Sequence, residues 1–140
     1  MTRTDDAPST YPGERLGLPP SGPRSIGRLG RRVVALVIDW AIAEVLCLLL
    51  TRPVHWYDRN TFVTYGIFAL LQVVFIATAS GSIGHLIAGL RVVPVRPAWV
   101  GVVRPVVRTL LVCLVVPAVI WDRDQRGVHD KAAGTLLVRR

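Results

Sequence analysis

The chain has 140 residues, 51% of them hydrophobic, a mean hydropathy of +0.46 and a formal net charge of +8. That length makes one domain, too small for a large soluble enzyme core. The seventeen basic residues, all arginine except Lys131, lie mostly between apolar blocks, the layout of a small integral membrane protein. A nucleic-acid partner is not expected, because no basic patch with stacking aromatics or groove-reading helix occurs; anionic membrane lipids are the expected partners of the positive flanks.

Residues 1–26 read as a disordered cytoplasmic tail. Met1 to Ser25 holds five Pro and three Gly and has no apolar stretch of signal-peptide length. The first apolar segment is therefore expected to be a retained signal-anchor. It runs from Val33 to Thr51, and its nineteen residues would rise about 28 Å as a helix, close to the hydrocarbon thickness. A polar loop follows over Arg52–Asn60, with Trp56 and Tyr57 suited to a membrane interface. The second span is Phe62 to Thr78 or Ser80, with Gln72 its one strongly polar interior residue, and the short loop makes an antiparallel hairpin. Glycines at 81, 84 and 89 then break the helix, and "LRVVPV" has the β-branched character of a short strand stopped by Pro94 and Pro97.

The third apolar region, Ala98 to Trp121, supports two readings. Its uncharged part, Thr109 to Trp121, is too short for an ordinary span, and the longer version takes in Arg104, Arg108 and Pro105. With both termini in the cytoplasm, Arg52 and Arg59 are the only basic residues left outside. A full crossing would add Arg123, Arg126, Lys131, Arg139 and Arg140. The charge bias favours a segment that dips in and returns. Near the C-terminus, Thr135–Val138 is a short apolar run whose natural strand partner is Gly89–Val93. The expected fold is thus an all-α integral membrane protein. It has two transmembrane helices, a third membrane-embedded helical segment that is re-entrant or spanning, and a short cytoplasmic β pair.

Asp39 stands out, since a carboxylate at mid-membrane costs roughly 2.5–3.5 kcal/mol on insertion scales. Arg32, Ala35 and Asp39 stand at i, i+3 and i+7 and share one helix face, whereas Glu44 lies about 140° away at 100° per residue. Arg104 and Arg108, themselves i, i+4, are better placed than Arg32 to pair with Asp39 directly. Asp130 is expected to complete the cluster from the cytoplasmic side. Asp39 is then either a structural anchor, countering buried arginines, or an ion or proton site; Glu44 would face a partner subunit. Cys47 and Cys113, and the scattered His55, His85 and His129, read as packing thiols and loop imidazoles. "GSIGHLIAG" lacks the features of a phosphate loop, and "DRDQRGVHDK" comes with no nucleophile or oxyanion arrangement. No catalytic set, metal site or cofactor is expected.

Together these stretches resemble the RDD family of small bacterial membrane proteins. "RRVVALVID" is similar to the family's first-helix signature, with its Arg at Arg32 and first Asp at Asp39. "SGSIGHLIAGLRVV" resembles the loop T-P-G-K-x-x-x-G-L-R-V-V, and "WDRDQRGVHDKAAGT" the closing D-x-x-x-x-x-x-H-D-x-x-A-G-T, with the second Asp at Asp130. The resemblance covers Gly27 to Val138, an RDD-like membrane domain over 27–140. In it Ser82-Ile83-Gly84-His85 replaces Thr-Pro-Gly-Lys, so the family's loop cation becomes a titratable histidine. The resemblance implies a transport-related role, cation/proton exchange being proposed for some members; the expected protein is a multi-pass inner-membrane one with its N-terminus in the cytoplasm, acting as a homo-oligomer. The alternative is a non-transporting accessory or assembly subunit held in a larger membrane complex by its charged residues.

Overall fold

A computed structural model describes residues 10–52, 60–95, 101–114 and 127–140. The fold is mostly helical. Helix α1 spans Leu29–Thr51 and α2 spans Thr61–Ala79, and each is long and apolar enough to cross a membrane. Short α3, Ile83–Ile87, leads into strand β1, Leu90–Pro94. Helix α4 covers Val103–Cys113, α5 covers Val128–Ala132, and strand β2 is Thr135–Arg139.

Helix α1 starts at Leu29, a turn before the expected Val33, so Arg31 and Arg32 are helical. Both arginines have backbone acceptors to bond there: Arg31 donates to the Ala88 carbonyl at 2.8 Å and Arg32 Nε to the Gly27 carbonyl at 2.7 Å. Helix α2 opens on Asn60, whose side chain accepts from the Phe62 N–H at 3.0 Å. The buried stripe of α1 is Arg32, Ala35, Asp39, Ala43 and Cys47; that of α2 is Thr64, Phe68, Gln72 and Ile76. Small residues on the α1 stripe let the helices approach closely. Trp40 meets Tyr65 and Phe68, with ring centroids 5.0 and 5.6 Å apart, Asp39 meets Gln72, and Ala35 clusters with Ile76. Partners climb along α2 as they descend along α1, so the hairpin is antiparallel, as expected.

The expected β pair is present, with β1 shifted by one residue from Gly89–Val93 and β2 one residue longer than Thr135–Val138. Strands β1 and β2 are antiparallel, with Leu90 opposite Arg139 and Pro94 opposite Thr135. The other edge of β2 is also occupied: Gly27 N–H donates to the Leu137 carbonyl and Arg139 N–H to the Ser25 carbonyl, both at 2.8 Å, and Ile26 bridges Val138. The ordered unit therefore begins before the tail boundary expected at residue 26. Backbone donors on the edge of β2 are satisfied by that segment, and Ile26 is buried with it. Val92 N–H donates to the Ser80 carbonyl, tying β1 to the end of α2. A small core of Ala35, Ile76, Leu90, Val92 and Leu137 joins the sheet to the hairpin at this end.

Because β1 and β2 pair, the chain between them leaves and returns at the same end of the hairpin. Of the expected third segment, residues 101–114 are described, with α4 in them; 98–100 and 115–121 lie outside the described residues. All three longer helices also carry large apolar side chains that face outward. On α1, Val33, Val37, Leu49 and Leu50 are exposed; on α2, Phe62 and Leu70; on α4, Val103 and Leu110. On α4 the buried residues are Pro105, Arg108 and Thr109.

Candidate functional site

Arg32 and Asp39 of α1, Gln72 of α2, His85 of α3, Arg108 of α4 and His129 and Asp130 of α5 meet toward the sheet end of the hairpin. Asp39, 6% exposed, draws its hydrogen bonds from three neutral donors. Gln72 Nε2 donates to Oδ2 at 2.8 Å, Ser82 Oγ to the same oxygen at 2.5 Å, and Gly84 N–H to Oδ1 at 2.7 Å. The expected direct pairing of Asp39 with Arg104 or Arg108 is thus corrected. The physical reason is the approach of α3 against α1, which places fixed donors on the carboxylate first. Gly84 makes that approach feasible, since a Cβ at this position would collide with the Ala35 carbonyl oxygen.

Ser82 is also the N-cap of α3, accepting from the His85 N–H at 3.2 Å. Its Oγ additionally touches His85 Nδ1. The single hydroxyl proton goes to Asp39, so the Nδ1 proton of His85 must donate to Ser82. Nε2 then has a free lone pair facing Arg108 Nη2 at 3.4 Å. All donors in this series point the same way, from Arg108 through His85 and Ser82 to Asp39. The arginine stabilises the carboxylate through two neutral groups rather than by contact. Burial of His85, followed by the influence of Arg108, Arg32 and His129, holds its imidazole well below the usual 6.5 and keeps it neutral.

Asp130 is the carboxylate that takes the cations. It is fully buried, with Arg32 Nη1 3.0 Å from Oδ2, Arg108 Nη1 against Oδ1 and His129 Nε2 3.6 Å from Oδ1. Two guanidiniums from α1 and α4 therefore share one counter-charge supplied by α5. Arg32, Arg108 and Asp130 come together as the sequence suggested, and Asp39 joins them at one remove. Arg104 is half-buried on α4. Glu44 is half-buried on a different face of α1.

Ser82, His85 and His129, read above as loop residues, are integral to the site. His85 and His129 are 7% and 6% exposed, as buried as the arginines. The signal that could have found the first two was their place in the loop quoted for the family resemblance, just where its permanent cation is lost. Gln72 was visible as the lone amide of an apolar helix. Among the described residues, no group of three or more His, Cys, Asp or Glu is placed to hold a metal ion. Comparison with known proteins gives no match to a family model, a curated protein or a solved structure, so the functional reading rests on this geometry.

Proposed function

We propose that the chain is an integral membrane protein of the RDD type, acting as a non-transporting accessory or assembly subunit of a larger complex in the cell membrane. Membrane residence is supported by the inverted helices. Arg32, Asp39, Gln72 and Arg108 point inward while many large aliphatic side chains face outward on α1, α2 and α4, an arrangement that water penalises and lipid favours. The pairing of β1 with β2 supports a third segment that re-enters rather than crosses, with both termini on the cytoplasmic side.

The observation that carries the accessory role is the state of Asp39. It is buried, and three fixed neutral donors occupy it, which suits an anchor that does not exchange its ligands. A second reading, cation/proton exchange by a homo-oligomer, draws on the contact series that links titratable Asp39 and His85 through Ser82.

The variant Asp39→Asn separates the two. Its amide presents one acceptor where the carboxylate offered two, and leaves a buried donor without a partner, a loss of about 1–3 kcal/mol. Under the accessory reading the variant loses abundance, and the wild type in proteoliposomes moves cations no faster than protein-free vesicles. Mild-detergent purification then yields a co-purifying membrane protein of definite mass. Wild-type, pH-dependent cation flux that a normally folded Asp39→Asn lacks would overturn the accessory reading in favour of exchange.

A further inference from the structure

A groove of about 800 Å³ opens between α1, α2 and α4, within the roughly 300–1,000 Å³ range of small-molecule sites. One end is polar, with Arg32, Arg108, His129 and Thr109 in its lining. From there the walls become apolar along Val33, Leu36 and Val37 to Trp40 and Tyr65. Arg32 and Trp40 are eight residues apart on α1, a rise of about 12 Å. Among the described residues, the charged part of the lining is two guanidiniums, whose shared carboxylate, Asp130, sits behind them and is not part of the groove wall. Asp39 is also absent from the wall and is bonded to neutral donors. Thr109 is 3% exposed, lines the polar end, and its hydroxyl has no hydrogen-bond partner among the described residues.

We infer that this groove seats one anionic phospholipid of the surrounding membrane, with its phosphate at Arg108 and Thr109 and an acyl chain along Val33, Leu36 and Val37. Three features carry the assignment. The wall charge is cationic, so a phosphate oxygen gains charge-assisted bonds there that a zwitterionic headgroup offsets with its own cation. The Thr109 hydroxyl is a buried donor that a phosphate oxygen would satisfy. The change from polar to apolar along α1 has the order of a lipid, headgroup at the sheet end and chain along the helix. Lipid here would also cover apolar side chains of α1 and α4 that meet at the groove.

The inference rests on the membrane reading, and its test keeps the two apart. The full chain is purified in mild detergent and titrated with phosphatidylglycerol, phosphatidylcholine and inorganic phosphate, with bound species read by native mass spectrometry. Flotation with vesicles of the same lipids tests membrane residence separately. Phosphatidylglycerol is expected to bind about tenfold tighter than phosphatidylcholine, with inorganic phosphate far weaker. Val37 is 61% exposed, so Val37→Trp fills the groove without disturbing the fold and should weaken phosphatidylglycerol about tenfold. Thr109→Val keeps the side-chain shape, removes the hydroxyl and should weaken it about threefold. Flotation with equal binding of the two lipids, or full binding by Val37→Trp, overturns the lipid site and leaves membrane residence standing. Inorganic phosphate binding as tightly as the lipid overturns the acyl-chain part and with it the proposal. A chain that does not float overturns both readings.

Discussion

Replacing Asp130 by Asn removes the carboxylate that two buried guanidiniums contact. Arg32 and Arg108 are 7% and 4% exposed, and both lie against this fully buried carboxylate. Breaking a buried pair by removing one partner costs about 3–5 kcal/mol, because the remaining charge stays desolvated. Two arginines depend on Asp130, so the loss is expected near the upper figure, about 5 kcal/mol, comparable with the whole stability of a marginal domain. Reversible unfolding in mixed micelles, followed by helical circular dichroism as the denaturing detergent fraction rises, measures it. A second substitution makes the reasoning specific. In the Asp130→Asn background, Arg108→Gln removes one stranded charge and should recover about 1–3 kcal/mol, whereas Arg108→Gln alone should destabilise. A loss below about 1 kcal/mol for Asp130→Asn, or no recovery in the double variant, would refute the shared counter-charge.

Gly84→Ala should lower stability by at least about 1–3 kcal/mol, because its Cβ meets the Ala35 carbonyl and the Asp39 carboxyl carbon and must push α3 off α1; a thermal midpoint equal to wild type would contradict that contact. Acid should destabilise the fold. His85 is held neutral below its ordinary 6.5, so the unfolded chain binds the proton first and stability, full above pH 6.5, falls with pH below it by up to about 1.4 kcal/mol per unit. His85→Asn, whose amide reaches the Nδ1 position, should flatten that slope, and an unchanged slope in the variant would remove His85 as its source. Cysteine labelling from outside the cell should reach a Cys placed at Asn60 and miss one at Arg139; external labelling at Arg139 would exclude a re-entrant third segment.

Much of the architecture was legible in the residue order because the signals are local. Apolar runs of helix length, Gly breaks and β-branched runs ending at Pro94 specify α1, α2 and the strand pair without reference to one another. The i, i+3, i+7 spacing put Arg32, Ala35 and Asp39 on one inward face, because helical periodicity alone sets that. The partners of Asp39 were not legible. Arg104 and Arg108 looked like the natural counter-charges by sign, yet the carboxylate is filled by Gln72, Ser82 and the Gly84 N–H, and the arginine load falls on Asp130. That choice depends on how closely α3 packs on α1, a tertiary distance that Gly84 permits and no spacing encodes. The same holds for Arg24–Gly27, whose Pro- and Gly-rich surroundings read as tail. Its backbone becomes ordered because β2 offers an open row of donors and acceptors beside it. The sequence by itself thus determined the two long helices, the strand pair and the shared face of Arg32, Ala35 and Asp39, but read the short helices α3 and α5 as loops. Tertiary packing decided which charge meets which, because a buried ion takes whichever partner the surrounding backbone brings within hydrogen-bond reach.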